Sequence, residues 1–448
     1  MNIFADLHFH SKYSRAVSAD MDLEHLSAGA KTKGLQLLGT GDFSHPLWFK
    51  ELKAKLVASQ HDGLYELKSE AKSENRVLFM LSNEVATFFS EGGKSRKVHH
   101  VLHAPSLEVV EQLNDLFAKR SNLAADGRPM FARTSCAELA DICFSVSKDI
   151  VLVCAHAWTP WFGIFGSESG YDSLKEAFQE QSKNIFAIET GMSSDPAMNW
   201  RLSQLDSVSL MSNSDSHSPH PWRLGRECNC FEFSVEEGAG NEDKLSYDNL
   251  FKAVKEKDKN RFLFTIETDP SYGKYHFDGH RLCGFSSGPE ETKRLKGICP
   301  VCHRPMTIGV LNRVEELADR PEGFVPEGVI PFKKLLPLHE LVSAALGEGF
   351  YSKKVGAIAG KLYREFGNEF EVLLTASEES LSRAVDEKIA KIILLNREAK
   401  LFVKPGFDGE YGIAQIPDGL KLGEKKERAK LLPEKKGGEK QRGLADYF

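Results

Sequence analysis

The sequence predicts an α/β fold in which a distorted barrel of seven strand–helix units is followed by a small metal-binding module and a helical C-terminal region. Three observations carry this prediction: apolar runs alternate with helical patterns up to about residue 264, paired Cys and His residues follow, and helical spacing then resumes. The predicted divisions are a barrel over 1–264, a zinc module over 265–313, a helical domain over 314–420, a flexible basic linker over 421–440 and a terminal motif over 441–448.

The barrel is predicted from seven short apolar runs, each followed by polar residues and then by a helix-like stretch. Such alternation favours parallel strands joined by crossover helices, and seven units suit a barrel better than an open sheet. Gly34 is placed to end the first helix, and Ser135 is placed to begin the helix that starts at Cys136. The runs are NIFADLHFH, LQLLGTGDFSH, RVLFMLSNEV, KVHHVLHAP, IVLVCAHAW, NIFAIETG and VSLMSNSDSH.

The composition excludes several classes of protein. A net charge of −6 argues against general coating of nucleic acid, so any DNA contact would need a local basic groove. No apolar run is long enough to span a bilayer, and the first residues lack the features of a signal peptide. We therefore expect a cytoplasmic protein without a membrane partner, whose eight cysteines serve as core residues or metal ligands rather than as disulfides.

Side chains able to bind metals follow every one of the predicted strands. In a βα-barrel the C-terminal strand ends meet at one face, where active sites are built. One such histidine would usually be structural, but side chains of this kind at all seven strand ends predict a shared site. They are His8, His10, Asp42, His45, Glu84, His100, His156, Glu189, Asp215 and His217.

The spacing within these motifs indicates metal-dependent chemistry. His8 and His10 are two residues apart, so on a strand both rings point to the same side, and Asp215 and His217 repeat this spacing. Glu84 has two carboxylate oxygens and suits a bridging position between ions. A mixed His, Asp and Glu shell of this kind would hold two or three divalent ions, which favours phosphoester hydrolysis.

The order of the motifs DLHFHSKYS, GTGDFSH, SNEV, HHVLH, AHAW and NSDSH resembles that of the polymerase and histidinol phosphatase (PHP) family over about residues 1–235. The resemblance implies a distorted seven-stranded barrel with up to three ions of zinc, manganese or magnesium, and catalytic roles for Glu84, Asp215 and His217. His99 and His103 compete with His100, which is favoured because it precedes Val-Leu as the family histidine does. The implied ligands are His8, His10, Asp42, His45, Glu84, His100, His156, Asp215 and His217.

Two positions depart from the family pattern. The second strand ends in Asp42-Phe43 where the family often has Asp-His, and the nearest histidine is His45. Ser14 and Arg15 stand where many members carry a further ligand after the first histidine pair. Both departures bear on a third ion and leave the rest of the predicted site intact.

A second metal site is predicted after the barrel, where the chain has too few apolar residues to fold without a staple. Two pairs of ligands, each with a two-residue gap, lie about fifteen residues apart, which is typical of a closed tetrahedral zinc site. His276 and His303 remain alternatives for one ligand. The predicted structural zinc ligands are His280, Cys283, Cys299 and Cys302.

The barrel, cysteine module and helical region together resemble a DNA repair endonuclease of the PHP family along nearly the whole chain. That resemblance implies cleavage on the 5′ side of uracil, hypoxanthine, xanthine or an abasic site, leaving a 3′-hydroxyl and a 5′-phosphate. The alternatives are a small-molecule phosphatase of the histidinol-phosphate type and a recruitment factor with a vestigial site. The residues expected to contact DNA are Trp158, Trp161, Phe165, Arg223 and Arg226.

These contacts have a structural alternative, because the aromatic loop could simply pack against its own domain and the arginines could form surface ion pairs.

The last residues, QRGLADYF, resemble the PCNA-interacting motif, in which a glutamine, an aliphatic residue and two aromatic residues bind a sliding clamp. A basic leash before this motif would let the barrel reach DNA while the tail stays docked. Packing of the tail on its own domain is the alternative, and we expect the chain to be a monomer. The implied clamp ligands are Gln441, Leu444, Tyr447 and Phe448.

Overall fold

A computed structural model describes residues 1–234 and 240–422. Its strands, in chain order, are β1 (Asn2–Asp6), β2 (Leu37–Gly39), β3 (Leu56–Ala58), β4 (Tyr65–Leu67), β5 (Leu78–Glu91), β6 (Lys94–Ala104), β7 (Met130–Ala132), β8 (Val151–Cys154), β9 (Ala187–Glu189), β10 (Ser209–Met211), β11 (Cys228–Glu232), β12 (Phe262–Glu267), β13 (Asp278–His280), β14 (Phe285–Ser287), β15 (Phe332–Lys334), β16 (Phe402–Lys404) and β17 (Ile413–Gln415).

The helices lie between these strands and dominate after residue 310. They are α1 (Leu23–Lys33), α2 (Pro46–Lys55), α3 (Leu107–Phe117), α4 (Cys136–Val146), α5 (Leu174–Phe178), α6 (Pro196–Asn199), α7 (Tyr247–Glu256), α8 (Pro289–Arg294), α9 (Val310–Leu317), α10 (Leu338–Leu346), α11 (Lys353–Phe366), α12 (Glu378–Ala384) and α13 (Glu387–Arg397).

Short 3₁₀ turns occupy Gln179–Asn184, Ser203–Leu205, Pro270–Tyr272, Arg281–Cys283 and Asp418–Leu420, and Glu371–Thr375 forms a π-helical turn. Among the described residues no helix is both long and apolar enough to cross a membrane.

The predicted α/β barrel class is confirmed. The seven predicted runs form seven strands that lie side by side in the order β10-β9-β8-β6-β5-β2-β1, and β11, β12 and β15 extend the sheet beyond β1. The seven-stranded part of the sheet is curled, and its outer strands β1 and β10 approach each other where the amide of Asp215 donates to the carbonyl of His8 (2.9 Å). The amide of His10 donates in turn to the carbonyl of Ser216 (3.2 Å). The chain segments after β1 and β10 therefore meet at one edge of the barrel.

The expectation of all-parallel pairing is wrong for part of the barrel. β1–β2, β2–β5, β8–β9 and β9–β10 are parallel, but β6 is antiparallel to both β5 and β8. The reason is local: Gly92 and Gly93 both have positive φ (58° and 79°) and turn β5 directly back into β6 as a hairpin. No crossover helix separates these two strands.

Helix boundaries follow the sequence signals. Asp22 caps α1 by accepting from the amide of His25, and Gly34 ends the helix with φ 101°. A side chain at Gly34 would collide with Asn368, so the residue is required by both conformation and packing. Ser135 and Glu138 form a capping box at the start of α4.

Two apolar cores position the barrel. One lies between the sheet and the outer helices. The other fills the interior, where Leu7, Met80 and Val101 pack with Leu250 and Phe251 of α7. The helical C-terminal region docks on the outside through a buried ion pair between Lys33 Nζ and Glu369 Oε1 (2.7 Å). The division of the chain at residues 264, 313 and 420 stays a prediction.

Candidate metal centre and active site

Seven side chains converge at the edge where the two ends of the sheet meet. We call them the strand-end cluster. Three groups of donor atoms overlap within it: one of His8, His10 and Glu84, a second of Glu84, His99 and His156, and a third of His10, Asp215 and His217. The cluster is His8, His10, Glu84, His99, His156, Asp215 and His217.

Glu84 is the shared member of the first two groups. Its Oε1 lies 2.8 Å from His99 Nδ1, 3.0 Å from His156 Nε2 and 3.8 Å from His8 Nε2. Its Oε2 lies 3.2 Å from His10 Nε2. Each carboxylate oxygen thus faces a different set of imidazoles, as a carboxylate that bridges two ions would.

Three of the histidines are fixed from behind. His8 Nδ1 lies 2.9 Å from Glu189 Oε2, His10 Nδ1 lies 3.1 Å from Asp42 Oδ1, and His156 Nδ1 lies 3.0 Å from Thr159 Oγ1. Each ring therefore directs its Nε2 into the cluster. An outer partner on one ring nitrogen that frees the other is the usual arrangement of metal-ligating histidines.

The inward atoms fit bound cations. His8 Nε2, His10 Nε2 and Asp215 Oδ1 are buried and have no hydrogen-bond partner among the described residues. Buried polar atoms without partners are rare and costly unless an ion or water satisfies them. The donor set, oxygen and imidazole nitrogen without sulfur, suits divalent ions of the zinc, manganese or magnesium type.

The carboxylates of the cluster are ionised. Burial alone would raise the pKa of Glu84, but His99, Arg128 and His10 bring it well below its usual range. Burial likewise opposes ionisation of Asp215, and His10 and His8 hold its pKa well below the ordinary value. Burial lowers the pKa of His99 to about 3, although Glu84 opposes the shift.

The remaining histidines of the cluster differ. Burial disfavours charge on His8, yet Glu189 and Asp215 raise its pKa to about 9. A divalent ion would therefore displace a proton from this ring on binding. Three residues in or beside the cluster, Asp42, His156 and Asp215, have positive φ (46°, 31° and 46°). Such conformations cost on the order of 1–3 kcal/mol each in non-glycine residues and are held in place by the surrounding structure.

The choice of His100 as a ligand needs correction. In the β5–β6 hairpin, Ala86 lies opposite His99 and Val85 opposite His100, so His99 shares the inner face with Glu84. His100 points outward, where its Nε2 lies 3.2 Å from Thr87 Oγ1 and its ring packs against Phe178. His103 lies on the inner face but deeper, against Phe251. The structure therefore replaces His100 with His99.

Asp42 and His45 are also not direct members of the cluster. Asp42 orients His10 and accepts hydrogen bonds from the Ser11 amide (2.7 Å) and the Ser14 hydroxyl (2.8 Å). His45 precedes α2 and stacks on Tyr13 with ring centroids 4.6 Å apart. A supporting role explains Asp42, and no metal-ligand group among the described residues contains His45.

Several supporting residues were not predicted as part of the site. The sequence predicts Glu189 only as a strand-end residue. In the structure its carboxylate contacts His8 Nδ1 (2.9 Å) and accepts a hydrogen bond from the His156 amide (3.1 Å). Thr159 and Arg128 carried no sequence signal. Arg128 contacts Glu84, which lies 44 residues earlier in the chain, and the spacing of residues along the sequence does not predict such a contact.

The residues expected to contact DNA divide into two groups. Trp158 and Phe165 are buried in the core (1% and 0% exposed), and the Trp158 indole donates to Asn199 Oδ1 (2.8 Å). The prediction that Trp158 and Phe165 contact DNA is therefore wrong, and both side chains pack in the core. Trp161 is 39% exposed and meets Tyr275 edge to face. Trp161 is therefore the one exposed side chain of the predicted trio.

The two predicted arginines make intramolecular contacts. Arg226 donates twice to the carbonyl of Ser214 (3.1 and 2.9 Å) and so holds the backbone immediately before Asp215. Arg223 lies 3.8 Å from Glu340 Oε1 and over the ring of Phe350 in the C-terminal region. Arg226 thus supports the strand-end cluster, and Arg223 joins two parts of the chain.

The second group of ligands has a different character. His280, Cys283, Cys299 and Cys302, which we call the cysteine cluster, have all four ligand atoms within 4.8 Å of one another. His280 ends β13, and Cys283 lies in the turn before β14. Burial raises the pKa of Cys299, but the amides of Cys302 and Val301 outweigh it and lower the value, which favours a thiolate. The set fits a closed tetrahedral zinc site. His276 and His303 lie outside this group.

The C-terminal part of the chain matches a family model. Residues 337–400 match the model described as the MJ0043 C-terminal domain. The protein MJ0043 of Methanocaldococcus jannaschii is 35% identical over 257 residues, which cover 57% of this chain and 31% of that protein. The chain thus spans about a third of the length of MJ0043. The Bacillus subtilis protein YqxK is 28% identical over 426 residues, 92% of this chain and 98% of that protein.

Two solved structures are similar along almost the whole chain. One is the lesion-specific endonuclease PfuEndoQ from Pyrococcus furiosus (TM-score 0.80, 34% identity, 94% of this chain and 96% of that chain). The other is an endonuclease Q complex with a 27-mer duplex that has an abasic lesion at the active site (TM-score 0.81, 34% identity, 94% and 98%).

The curled seven-stranded part of the sheet, with the strand-end cluster at one edge, is the PHP-type distorted barrel that the order of the motifs predicts. Within that class, the chain belongs to the endonuclease Q family.

Proposed function

We propose that this chain is a metal-dependent DNA repair endonuclease. It cleaves the phosphodiester on the 5′ side of uracil, hypoxanthine, xanthine and abasic sites, leaving a 3′-hydroxyl and a 5′-phosphate. The observation that carries the proposal is the carboxylate-centred strand-end cluster within a chain 34% identical, over 94% of its length, to an endonuclease Q captured with a lesion-bearing duplex.

The residues of the strand-end cluster would hold two or three divalent ions. Such ions, when bound, supply hydroxide near neutral pH and neutralise charge on the phosphate. Glu84 would be a ligand common to two ions, and Asp215, whose side chain is 36% exposed, would be a ligand on the side of the centre nearest solvent. Glu189, Asp42 and Thr159 keep the rings oriented.

Substrate would reach the centre from the side of His217. Its side chain is 41% exposed, whereas His8 and His10 are both 1% exposed. Trp161 lies exposed on the loop that follows His156 and is the side chain we propose to stack on a base beside the lesion. The cysteine cluster would hold one structural zinc ion and fix the shape of the adjoining module.

A nicking assay tests this function. Purified protein with manganese, magnesium or zinc is expected to nick a duplex oligonucleotide that contains one uracil, inosine or abasic site and to spare an undamaged duplex. Chelation by EDTA should stop cleavage, and re-addition of metal should restore it. Equal cutting of both duplexes, or release of phosphate from histidinol phosphate without nicking, would overturn the proposal in favour of a non-specific nuclease or a small-molecule phosphatase.

The clamp-binding motif is a separate part of the proposal. Gln441, Leu444, Tyr447 and Phe448 lie outside the described residues, as does most of the predicted linker. Their sequence supports a PCNA-type sliding clamp as a partner. Deletion of residues 441–448 is expected to abolish clamp binding in a pull-down while leaving the cleavage rate on free oligonucleotides unchanged. Retention of clamp binding would place the contact elsewhere.

A further inference from the structure

Arg128 lies at the strand-end cluster without being one of its metal-type ligands. Its Nη1 donates to Glu84 Oε2 at 3.1 Å, the same oxygen that His10 Nε2 approaches. Over residues 1–234 and 240–422, no other Lys or Arg side chain comes within ion-pair distance of Glu84 or Asp215. One arginine side chain therefore contacts the carboxylate that two of the donor groups share.

The loop that carries Arg128 is built against the site. A Cβ atom at Gly127 would lie 2.2 Å from Asp42 Oδ2 and 2.3 Å from Ser14 Oγ, so only glycine lets the backbone pass this close to the group that orients His10. The Gly127 amide donates to the carbonyl of Tyr13 (3.2 Å), and the Asp126 carboxylate accepts from the Arg128 amide (3.3 Å). The backbone that leads into Arg128 is thus held by two hydrogen bonds.

The guanidinium has unused capacity that faces outward. It carries five N–H donors in a rigid fork, and the single side-chain hydrogen bond found for it within the described ranges is the one to Glu84. Its side chain is 29% exposed, in contrast with Glu84, which is fully buried. A planar fork of this kind matches the oxygens of a phosphate group, to which it can donate two parallel hydrogen bonds.

We propose that Arg128 binds a non-bridging oxygen of the scissile phosphate and is a further catalytic residue of this site. The inference rests on the proposed endonuclease function. One edge of the guanidinium stays anchored on Glu84, and the exposed edge receives the phosphate. Arg128 thereby stabilises the charge that develops on the phosphate during cleavage and positions it over the strand-end cluster.

The test compares single-turnover cleavage of a duplex with one abasic site by the wild-type protein, Arg128→Gln, Arg128→Lys and a control, Arg383→Gln. Arg383 is an exposed helical arginine paired with Glu379, remote in sequence from the site. We expect Arg128→Gln to cleave about 10²–10³-fold more slowly, with unchanged metal content. Arg128→Lys should recover part of this loss because it restores the charge but not the fork, and the control should match the wild type.

A stereospecific readout separates phosphate contact from a structural role. Sulfur accepts hydrogen bonds poorly. When sulfur replaces the non-bridging oxygen of the scissile phosphate that contacts Arg128, the wild-type protein should therefore cleave more slowly. In Arg128→Gln the penalty for that one phosphorothioate diastereomer should shrink, while the penalty for the other diastereomer persists.

Unchanged penalties for both diastereomers, loss of metal from Arg128→Gln, or wild-type rates in that variant would each overturn the inference alone. A wild-type protein that nicks no lesion-bearing duplex would overturn the proposed function, and this inference with it.

Discussion

The strand-end cluster and the cysteine cluster are both sets of metal-type ligands, but they differ in whether they leave room for a substrate. The cysteine cluster groups three sulfurs and one imidazole from a short stretch of chain, 280–302, around one point. The strand-end cluster collects oxygen and nitrogen atoms from residues between 8 and 217, in three groups of which two contain Glu84 and two contain His10. A closed set of four ligands leaves no position for substrate, whereas overlapping open sets leave room for a phosphate.

The difference also appears in the support around each cluster. Outer partners hold His8, His10 and His156 from behind, and strained backbone places Asp215 and His156. The cysteine cluster relies instead on a hairpin and its backbone amides. Orientation is controlled where chemistry is expected, and simple closure is sufficient where a fold must be stapled.

Substitution of Glu84 should have the largest effect and should affect the strand-end cluster but not the cysteine cluster. Glu84→Gln should reduce cleavage of a lesion-bearing duplex by at least about 10³-fold, because a shared anionic ligand is lost from two donor groups. Metal analysis should show loss of the strand-end ions with the cysteine-bound ion retained. Glu176→Gln, a change in an exposed carboxylate paired with Arg96, serves as the control and should behave as wild type. Full activity of the Glu84 variant would mean that the catalytic centre lies elsewhere.

The adjacent pair His99 and His100 provides a matched test within one strand. His99→Gln should lower both metal content and cleavage, by about 10–100-fold, since its ring faces Glu84. His100→Gln should retain metal and activity, and should lower the free energy of unfolding by about 1 kcal/mol through the altered contact with Thr87. The reverse ranking, measured by metal analysis and nicking on the two purified variants, would restore the assignment made from the sequence.

Removal of a ligand from the cysteine cluster should have a different effect from removal of Glu84. Cys299→Ser is expected to remove one equivalent of tightly bound metal and to expose residues 278–307 to limited proteolysis, because this segment depends on the metal for closure. Cleavage by protein that remains folded should fall by less than about 10-fold. Cys230→Ser is the matched control, since Cys230 is a buried strand residue outside any ligand group among the described residues. Equal metal content in both variants would argue against a metal site here.

The last prediction concerns the stability contributed by two buried carboxyl groups, Glu227 and Glu267. Burial raises the pKa of Glu227 from 4.5 to about 8, and burial together with Glu227 raises that of Glu267. Between pH 4.5 and about 8, Glu227 keeps its proton in the folded chain but loses it in the unfolded chain. The free energy of unfolding therefore falls as pH rises through this range. Urea unfolding should therefore show the wild type losing up to about 1.4 kcal/mol per pH unit relative to Glu227→Gln between pH 5 and 8. Parallel stability profiles would contradict the buried, neutral state of Glu227.

The sequence was sufficient where local rules decide the structure. Seven runs gave seven strands, Gly34 and Ser135 ended and began the expected helices, and the ligand spacing in the cysteine cluster lies within one short segment. His99 and His100 show what local rules cannot decide. Side chains alternate along a strand, so choosing between the two requires the register of β6 against β5.

The aromatic loop shows the same limit. Trp158, Trp161 and Phe165 are alike in composition, but hydrogen bonding to Asn199 and packing in the core bury the first, and core packing buries the third. Arg128 and Glu189 reach the centre through contacts with residues 44 and 181 positions away, respectively. Such pairings depend on how the sheet curls, which spacing along the chain does not encode.

Anomalous diffraction from crystals grown with manganese or zinc tests the central claim most directly, namely that this chain builds two metal sites of different kinds. We expect at least two anomalous peaks bridged by Glu84, with His99 rather than His100 as a ligand, and one separate peak inside the cysteine cluster. Absence of any peak within coordination distance of Glu84 would contradict the account, even if the cysteine cluster were fully occupied.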